Sequence, residues 1–580
     1  MGEYNHAMTK VKISTLEWHL VEVLSSLSNS IEEVLLKNRN IEKDDWTFFS
    51  ITPSDFHNPM TLPDIDICTA RILEAREKKE RVVVFWDYDV DGVSGTAILV
   101  KFFTEIGIET SYRLPHRVHD GYGLKSYFFD DLSKKNVKLV VTVDCGTRDI
   151  EPIAYAKSLG IDVIVTDHHA VPDSIPKEVI GIINPKRIDS KYPFSSLAGA
   201  GVAFKLVHAL AIKLWYTWEE LSSLLLRFVD IASLWTVSDC MPLIGENRVI
   251  TALGLKQMKN SESAGLKKFL EWHENIEWKA DIIGFQIWPR INASGRMDTP
   301  LTALRWLLAS EERCDEFLAE LEELNGQRQT EVKSFTEKAL ERVKTEEWIL
   351  FYHEGTLEHG LIGLVAGKLT EAYNRPSIVL CDGHTPSWKR EYEKEIQEKE
   401  TSTFVASCRA PEWCNLVELL DECKEFFIRY GGHKQAAGFT IEVTRFDEFR
   451  EYIGQKFREK YDTYNLPEKT IRVEASISPT LATLQTLDTI EKFEPFGIGN
   501  PKPLWLLENI TLKEVSSLGK EWKHLSLKCT ENPNLKLILW NAENAPLHEW
   551  DIASLIVELS WNEWQGKVTV QWIVKYIIKN

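Results

Sequence analysis

Three apolar segments in the first half of the chain each end in acidic or histidine residues. The segment at 81–86 runs into Asp87, Asp89 and Asp91, the segment near 138–143 ends at Asp144, and the segment near 161–166 ends at Asp167, His168 and His169. Helical patterns near 94–107 and 149–159 separate these segments, and such alternation is typical of a doubly wound parallel α/β sheet. Because ligands gather at the carboxyl ends of strands in such a sheet, the pattern predicts one shared cleft.

The acidic cluster after the first strand predicts a metal site. Three carboxylates so close together repel one another unless a cation neutralises them. Hard oxygen ligands at this spacing suit magnesium or manganese. The alternatives are an acidic turn and a calcium loop. A calcium loop of the EF-hand type lies between helices and carries a glutamate at its twelfth position, whereas this segment follows a strand and lacks that glutamate.

A fourth candidate ligand is Asp239, which follows an apolar helical run that begins near Leu221. The alternative interpretation is an ordinary acid at a helix C-terminus, a position that the helix dipole disfavours. A metal ion would remove that penalty. Asp239 is therefore expected to join the residues of the cleft.

Taken in order, these motifs resemble the DHH phosphoesterase superfamily, and within it the RecJ family of single-strand DNA exonucleases. The matching motifs are Asp-Tyr-Asp-Val-Asp-Gly at 87–92, Val-Asp-Cys-Gly at 143–146, Asp-His-His at 167–169 and Val-Ser-Asp at 237–239. Similar stretches continue with Asn184-Pro-Lys-Arg187, Leu197-Ala-Gly-Ala-Gly-Val-Ala-Phe204, Pro289-Arg-Ile-Asn-Ala-Ser-Gly-Arg296, Arg429-Tyr-Gly-Gly-His433 and Glu494-Pro-Phe-Gly-Ile-Gly-Asn-Pro-Lys-Pro503. The resemblance covers nearly the whole chain.

Pattern and resemblance together predict several domains, as the length of 580 residues also does. The predicted regions are an N-terminal helical segment (1–80), a DHH catalytic domain with a doubly wound parallel sheet (81–310), a connector helix (311–347), a smaller α/β lobe with a Gly-Gly-His motif (348–460), and an OB-like β-barrel that binds nucleic acid (468–580). The charge run at 389–400 is interpreted as an exposed insertion in the smaller lobe.

The resemblance implies a metal-dependent 5′→3′ exonuclease that hydrolyses single-stranded DNA in recombination and repair. Two divalent cations, manganese or magnesium, would serve such a reaction. Asp144 is expected to bridge both ions, and the remaining ligands would be Asp87, Asp89, His168 and Asp239. The mixture of histidine and carboxylate favours manganese somewhat.

For three further residues of the cleft, the expected role is less specific than that of a metal ligand. His169 is expected to contact the phosphate or to protonate the leaving oxygen. Asp167 is expected to support the neighbouring histidine rings rather than to bind an ion itself. For Asp91 both roles, ligand and supporting acid, stay open.

Seven further residues are predicted to bind the substrate: Arg117, Arg290, Ser407, Arg409, Gly431, Gly432 and His433. Glycines let backbone amides approach phosphates, and a histidine can donate to one. Ser407 and Arg409 stand where the family has a Ser-Gly-Arg-Ser segment near the 5′-phosphate, with Ala410 in place of the second serine. The alternative for each arginine is a surface ion pair.

Two tryptophan questions are left open by the sequence. Trp86 stands directly before Asp87, where the family often has glycine, and the bulky indole leaves the placement of Asp87 in doubt. The barrel region offers candidates for stacking on bases. These are Trp505, Trp522, Trp540, Trp561, Trp564 and Trp572. At most one or two of them are expected to contact bases, since most could equally be core residues.

Composition limits the partners and the compartment. The net charge of −19 argues mildly against a protein that binds duplex DNA non-specifically. The nine cysteines are scattered without a Cys-x-x-Cys pair, the first residues lack a secretory pattern, and no apolar run of membrane-spanning length is expected. A cytoplasmic protein is therefore expected. The expected partners are single-stranded DNA, a single-strand-binding protein and a helicase.

Two other functions are weighed against the exonuclease. One is a DHH phosphodiesterase that cleaves short oligonucleotides or small nucleotides, but such chains generally lack a region like the one after residue 468. The other is a non-catalytic scaffold in a replication complex. Scaffold relatives typically lose acids from the motifs, whereas every expected acid and both histidines are present here.

Overall fold

A computed structural model describes most of the chain, in two compact units. The described residues are 7–12, 18–25, 30–42, 46–86, 92–114, 123–273, 278–383, 402–461, 469–519, 523–542, 545, 547–564 and 567–578. The first unit comprises Met1–Trp288, Leu307–Cys314 and Glu468–Asn580, and the second comprises Pro289–Trp306 and Asp315–Pro467.

Two strands precede the helices of the N-terminal region. The elements are β1 (Ala7–Lys12), β2 (Trp18–Val23), α1 (Ile31–Asn38), α2 (Trp46–Phe49) and α3 (Ile65–Glu77). β2 pairs antiparallel with β1 and in parallel with the distant strand Lys469–Val473. The prediction that residues 1–80 form a helical segment is therefore wrong for β1 and β2. The sequence of this region could not show these strands, because β2 pairs with a strand far away in the chain.

A five-stranded parallel sheet forms the centre of the first unit. Its strands are β3 (Arg81–Trp86), β4 (Thr110–Arg113), β5 (Val137–Val143), β6 (Asp162–Thr166) and β7 (Gly181–Ile183). Valine and isoleucine dominate the inner strands, as expected for strands that are buried on both faces. The strand order is β4-β3-β5-β6-β7, so the connections reverse direction between β3 and β5. Ligand sites in open α/β sheets lie at this reversal.

Helices cover both faces of this sheet. They are α4 (Val93–Glu105), α5 (Ser126–Lys134), α6 (Ile150–Ser158) and α7 (Gly199–Lys213). Residues of α5 and α6 share one apolar cluster with Val83, Phe85 and Val163. On the other face α4 and α7 approach closely, because Gly95 lies against Val143 and Ala200.

Helix α8 (Trp218–Ser238) is the one described helix that is long and apolar enough to cross a membrane. This corrects the expectation that no run would reach that length. Of its most apolar window, 72% is buried inside the protein. One such helix is weak evidence for a membrane span, and burial in the core accounts for its composition.

The remaining helices of the region lead into the second unit. They are α9 (Gly245–Met258), α10 (Ala264–Trp272), α11 (Ala280–Ile282), a π-helical turn (Ile283–Ile287), α12 (Trp288–Met297), α13 (Leu301–Leu308) and α14 (Cys314–Arg342). α14 is a single helix of 29 residues within the range predicted as a connector.

A second five-stranded sheet is the core of the second unit. Its elements are β8 (Leu350–His353), α15 (Ile362–Tyr373), β9 (Ser377–Asp382), β10 (Thr403–Arg409), α16 (Leu416–Asp421), β11 (Phe427–His433), β12 (Ala436–Glu442) and α17 (Phe446–Lys460). The order is β11-β12-β10-β9-β8, which leaves β11 at an edge.

The C-terminal region contains a closed barrel. The elements are β13 (Lys469–Val473), α18 (Leu484–Glu491), β14 (Trp505–Leu518), β15 (His524–Cys529), β16 (Lys536–Leu539), β17 (Ile552–Trp564) and β18 (Lys567–Ile578). The five strands β14 to β18 close in the order β14-β15-β16-β18-β17. The predicted fold class, an α/β DHH fold followed by an OB-like barrel, is confirmed.

Candidate metal centre

Asp144 directly follows β5 in a conformation that few residues other than glycine adopt. Its φ is +63°, in the left-handed region. Its N–H donates to the carbonyl of Thr166 at 2.9 Å, so the adjoining strand fixes the turn. Uncommon backbone conformations of this kind concentrate at functional sites, where the surrounding structure holds them in place.

The first turn of α7 lies against the Asp144 carboxylate. A Cβ atom added to Gly199 would lie 2.6 Å from Asp144 Oδ1, which is too close for any side chain. The helix N-terminus carries a partial positive charge that favours an anion there. The small residues that follow Leu197 therefore allow the first turn of α7 to come close to Asp144.

Two carboxylates and one histidine ring converge on a single point. His168 Nε2 lies 3.0 Å from Asp144 Oδ1 and 3.6 Å from Asp239 Oδ2. All three side chains are largely buried, with exposed fractions of 6%, 3% and 20% for His168, Asp144 and Asp239. Two carboxylate oxygens and an imidazole nitrogen are donors that suit manganese and other divalent cations. The structure thus brings together three of the five predicted ligands.

The electrostatics of His168 favour a positive charge at this point. Burial alone would lower the pKa of His168. The hydrogen bond and negative charge of Asp144, together with the charge of Asp239, outweigh burial and raise that pKa above its ordinary value. A divalent cation between these groups would satisfy the two carboxylates as a proton does.

Asp167 is used to hold its neighbours. Its Oδ1 accepts from the N–H groups of His168 (2.7 Å) and His169 (3.0 Å) and lies 2.8 Å from His169 Nδ1. Its Oδ2 accepts from the N–H of Thr147 at 3.1 Å. Burial alone would raise the pKa of Asp167, but His169 and these donors hold it well below its usual range. The carboxylate therefore orients the ring of His169. It does not contact the ring of His168 among the described interactions, so its expected role toward both rings stays a prediction.

His169 stands at the exposed side of the cluster. Its side chain is 32% exposed, and its Nδ1 lies 3.9 Å from Asp144 Oδ1. Asn184 donates from Nδ2 to the carbonyl of His169 at 3.0 Å and so fixes the backbone here. Asn184 belongs to the Asn-Pro-Lys-Arg stretch that resembles the family, but the sequence alone does not indicate that its side chain bonds to the backbone of His169.

Trp86 is fully buried, and a Cβ atom on Gly92 would lie 2.6 Å from Trp86 Cβ. The side chain of Trp86 therefore occupies the space in which a side chain at residue 92 would lie. The predicted site residues Asp87, Asp89, Asp91 and Arg117, and the charge run at 389–400, lie outside the described residues.

In the second unit, Ser407 and Arg409 lie side by side on β10. Arg409 Nη1 donates to Ser407 Oγ at 3.1 Å and to the carbonyl of Cys408 at 2.8 Å. A Cβ atom on Gly363, in the first turn of α15, would lie 3.0 Å from both Arg409 Nη2 and Ser407 Oγ. Burial lowers the pKa of the Arg409 guanidinium. No carboxylate is paired with Arg409 among the described ion pairs, so the group suits an anion.

The other predicted substrate residues of this unit differ in their surroundings. Gly432 has a φ of +149°, and a Cβ atom on it would lie 2.4 Å from Ala437 Cα, so packing alone requires glycine there. Gly431 has no atom within 4 Å of such a Cβ, and His433 is exposed at the end of β11. Arg290 forms an ion pair with Glu322 at 2.5 Å, but the pair is largely buried and so differs from the surface ion pair that was the alternative to substrate binding.

Two parts of the chain match models of known protein families. Residues 81–229 match the family model of the DHH family, N-terminal domain, and residues 473–576 match that of the RecJ OB domain. A parallel sheet with acids and histidines at its strand ends, followed by the closed barrel, thus defines a phosphoesterase of the DHH class.

Individual relatives narrow this class. A Salmonella typhimurium protein named single-stranded-DNA-specific exonuclease RecJ is 30% identical over 465 residues, which are 77% of this chain and 78% of that protein. The Bacillus subtilis protein of that name is 28% identical, over 98% of this chain and 69% of the relative. The crystal structure of Thermus thermophilus RecJ with Mn²⁺ superposes with a TM-score of 0.78 at 26% identity, covering 95% of this chain and 76% of that one. The chain belongs to the RecJ family of exonucleases, and that prediction is confirmed.

Proposed function

We propose that this protein is a metal-dependent exonuclease that degrades single-stranded DNA from the 5′ end, in recombination and repair. The observation that carries the proposal is the convergence of Asp144 and Asp239 on His168 Nε2 in a chain of the RecJ family. The barrel after residue 468 supports a polymeric substrate rather than a small nucleotide. OB folds bind single strands along basic and aromatic surfaces.

The divalent ions would be held by Asp144, His168 and Asp239, with Asp87, Asp89 and Asp91 as further candidates. Solved Thermus RecJ structures contain Mn²⁺ in one case and Mg²⁺ in another, and either ion suits this donor set. Such ions, when bound, lower the pKa of water and neutralise phosphate oxygens. The N-terminus of α7 adds fixed positive potential beside Asp144.

His169 acts on the substrate in this proposal, and Asp167 orients it. The contact between Asp167 Oδ1 and His169 Nδ1 at 2.8 Å holds the ring in one orientation. A ring held in this way can contact a phosphate oxygen or give a proton to the leaving oxygen. Its partial exposure permits such contact.

Ser407 and Arg409 bind the 5′-phosphate. A planar guanidinium grips a terminal phosphate through paired hydrogen bonds, and the absence of a described carboxylate partner leaves the charge of Arg409 for that purpose. We expect 5′-phosphorylated strands to be degraded faster than 5′-hydroxyl strands, and Arg409→Ala to abolish this difference. Arg450→Ala is the matched control, because Arg450 of the same unit pairs with Glu347. Equal degradation of both ends by the unmodified protein would contradict the assignment.

The cellular setting follows from the family and the thiols. None of the nine cysteines forms a disulfide, which supports a reducing compartment and hence the cytoplasm. We also propose a single-strand-binding protein and a helicase as partners, since an enzyme that degrades single strands acts where duplex DNA has been opened and kept unpaired. Co-purification of the full chain with each of them tests these two partners.

The decisive experiment is digestion of end-labelled single strands with Mn²⁺. A 5′ label should be released first as mononucleotide, while a 3′ label remains on shortening strands. Asp144→Ala should fold and yet release nothing, because the acid closest to His168 is lost. Release from the 3′ end first, or normal turnover by a folded Asp144→Ala protein, would refute the proposal.

A further inference from the structure

One sequence motif has no part in the function proposed above, namely the Pro-Phe-Gly-Ile-Gly-Asn-Pro stretch before the barrel. It forms a loop, here called the 493–501 loop, within the first unit. This loop packs on residues 240–244, here called the Asp239 loop, which directly follow the candidate ligand Asp239. The contact therefore joins the barrel side of the unit to the metal centre.

The two loops meet at backbone distance. The N–H of Leu243 donates to the carbonyl of Ile498 at 2.6 Å. A Cβ atom on Gly497 would lie 2.7 Å from Leu243 Cδ1, and one on Gly499 would lie 3.1 Å from Pro242 Cβ. Gly499 also has a φ of +78°. A side chain at residue 497 would press on the side chain of Leu243, and one at residue 499 would press on Pro242 and also strain the backbone, so both positions bear on the Asp239 loop.

The 493–501 loop is itself firmly held. Asn500, which is 2% exposed, donates from Nδ2 to the carbonyls of Phe493 (2.8 Å) and Pro495 (2.9 Å). Its Oδ1 accepts from Arg39 Nε at 2.8 Å. Backbone hydrogen bonds run in both directions between Gly497 and Asn500. A loop fixed at so many points can act as a rigid support.

The Asp239 loop is also tied to α8 at its start, where the N–H groups of Cys240 and Met241 donate to the carbonyls of Val237 and Thr236, both at 3.2 Å. Asn247 donates from Nδ2 to the carbonyl of Pro242 at 3.1 Å, which holds its far end. Asp239 caps α8 through its N–H, which donates to the carbonyl of Trp235 at 2.8 Å. A shift of Leu243 would therefore be passed along a short stretch of backbone to the carboxylate that lies 3.6 Å from His168 Nε2.

We propose that the 493–501 loop is a positioning element for the metal centre: through Leu243 it sets the place of the Asp239 carboxylate. The inference rests on the metal-dependent function proposed above and assigns the motif a role in that function. Gly497, Gly499 and Asn500 are positioning residues in this scheme, since none of them contacts the reacting groups. Supports of this kind typically change metal affinity by about 10- to 100-fold when they are altered.

The test compares Gly499→Ala with Gly107→Ala in the full chain. Both glycines have similar φ values, +78° and +81°, so alanine adds similar backbone strain at each, but a Cβ on Gly107 meets nothing within 4 Å. Free Mn²⁺ is measured by electron paramagnetic resonance during titration, with thermal unfolding recorded in parallel. We expect Gly499→Ala to weaken Mn²⁺ binding about tenfold relative to Gly107→Ala, with KM for single strands unchanged.

A second variant guards against general destabilisation. Gly497→Ala adds a methyl group against Leu243 without a left-handed φ, and it should also weaken Mn²⁺ binding. Mn²⁺ affinities equal to that of Gly107→Ala in both variants would overturn the inference while leaving the proposed function intact. Failure of the unmodified protein to bind Mn²⁺ would instead refute the metal-dependent function, and the inference with it.

Discussion

Gly199 lies so close to the Asp144 carboxylate that a side chain would not fit between them. A Cβ atom added to Gly199 would lie only 2.6 Å from Asp144 Oδ1. We therefore predict that Gly199→Ala displaces either the acid or the first turn of α7. Mn²⁺ affinity should fall about tenfold or more, as for other changes beside a metal ligand. Titration with Mn²⁺ and the rate of single-strand degradation at saturating Mn²⁺ measure the effect.

The control for this prediction lies on the same helix. A Cβ atom on Gly201 would meet Leu197 at 3.5 Å, an ordinary contact distance. Gly201→Ala should therefore bind Mn²⁺ as the unmodified protein does. If Gly199→Ala also retains full affinity, the close approach of α7 has no part in the site.

At this scale the sequence predicted chemistry better than geometry. Asp144, His168 and Asp239 could be selected because several neighbouring elements end in acids or histidines and parallel strands bring their carboxyl ends to one sheet edge. The left-handed φ of Asp144 could not be predicted, since an aspartate in the sequence does not by itself indicate this backbone conformation. The need for Gly199 also escaped prediction, because it arises from a tertiary contact between α7 and the end of β5.

Among the elements, α8 carries a buried acid whose ionisation opposes folding. Burial raises the pKa of Asp230 to about 6, although Ser261 Oγ donates to its Oδ2 at 2.5 Å. Because the folded pKa exceeds the ordinary 3.8, this group stabilises the fold at low pH, and that contribution is lost as pH rises through about 6. The loss amounts to as much as about 3 kcal/mol.

Asp230→Asn should remove this dependence. We predict similar stability of variant and unmodified protein near pH 3, below both pKa values, and a more stable variant above about pH 7, by up to about 3 kcal/mol. Urea unfolding at a series of pH values measures it. Asp149, whose pKa burial also raises to about 6, is retained in both proteins and cancels in the comparison. A constant difference across the pH range would contradict the prediction.

Trp522 and the side chain of Trp564 lie outside the described part of the barrel, and among its described tryptophans Trp540 suits a base-stacking platform. Trp505 and Trp572 are fully buried, whereas Trp540 is 52% exposed. Its ring lies 4.8 Å from that of His524, and His524 Nδ1 accepts from the N–H of Asn541 at 3.0 Å. We predict that Trp540→Ala weakens binding of long single strands about tenfold, since each stacked base contributes roughly 1–3 kcal/mol. Filter binding in EDTA measures affinity without cleavage.

Trp550→Ala provides the matched control. Trp550 is 65% exposed just before β17, so its loss removes a comparable surface group. It should leave strand affinity within about twofold if stacking is specific to Trp540. Equal losses in the two variants would mean that exposed indoles bind the strand without a dedicated platform.

The regular elements could be predicted where their pattern is local. Alternating strands and helices in the sheet of the first unit follow from apolar runs and their spacing. β1 and β2 could not be found in this way, because β2 pairs with β13, from the other end of the chain. Which tryptophans of the barrel are buried was also undecidable from sequence, since both core and surface positions of a small barrel accept indoles.

For the whole molecule, regions that are far apart along the chain pack against each other in the structure. Val34, Leu35 and Leu36 of α1 belong to the same apolar cluster as the barrel residues Trp505 and Trp572. The first unit accordingly combines the N-terminal segment with residues 468–580. A sequence read as five successive regions cannot show this, because nothing in α1 itself indicates which distant segment covers its apolar face.

Deletion of residues 468–580 therefore tests more than DNA binding. The truncated chain would expose Val34, Leu35 and Leu36, each of which contributes roughly 1.5–3 kcal/mol when buried. It would also lose the pairing of β2 with β13. These losses are a large part of the roughly 5–15 kcal/mol that stabilises a typical folded domain.

We predict that chain 1–467 unfolds at a clearly lower temperature than the full chain and aggregates. Chain 51–467, which also lacks the exposed face of α1, should be more soluble than chain 1–467. Circular dichroism during heating and light scattering compare the three proteins. If chain 1–467 unfolds at the temperature of the full chain, the barrel does not stabilise the first unit, and its loss would then report on DNA binding alone.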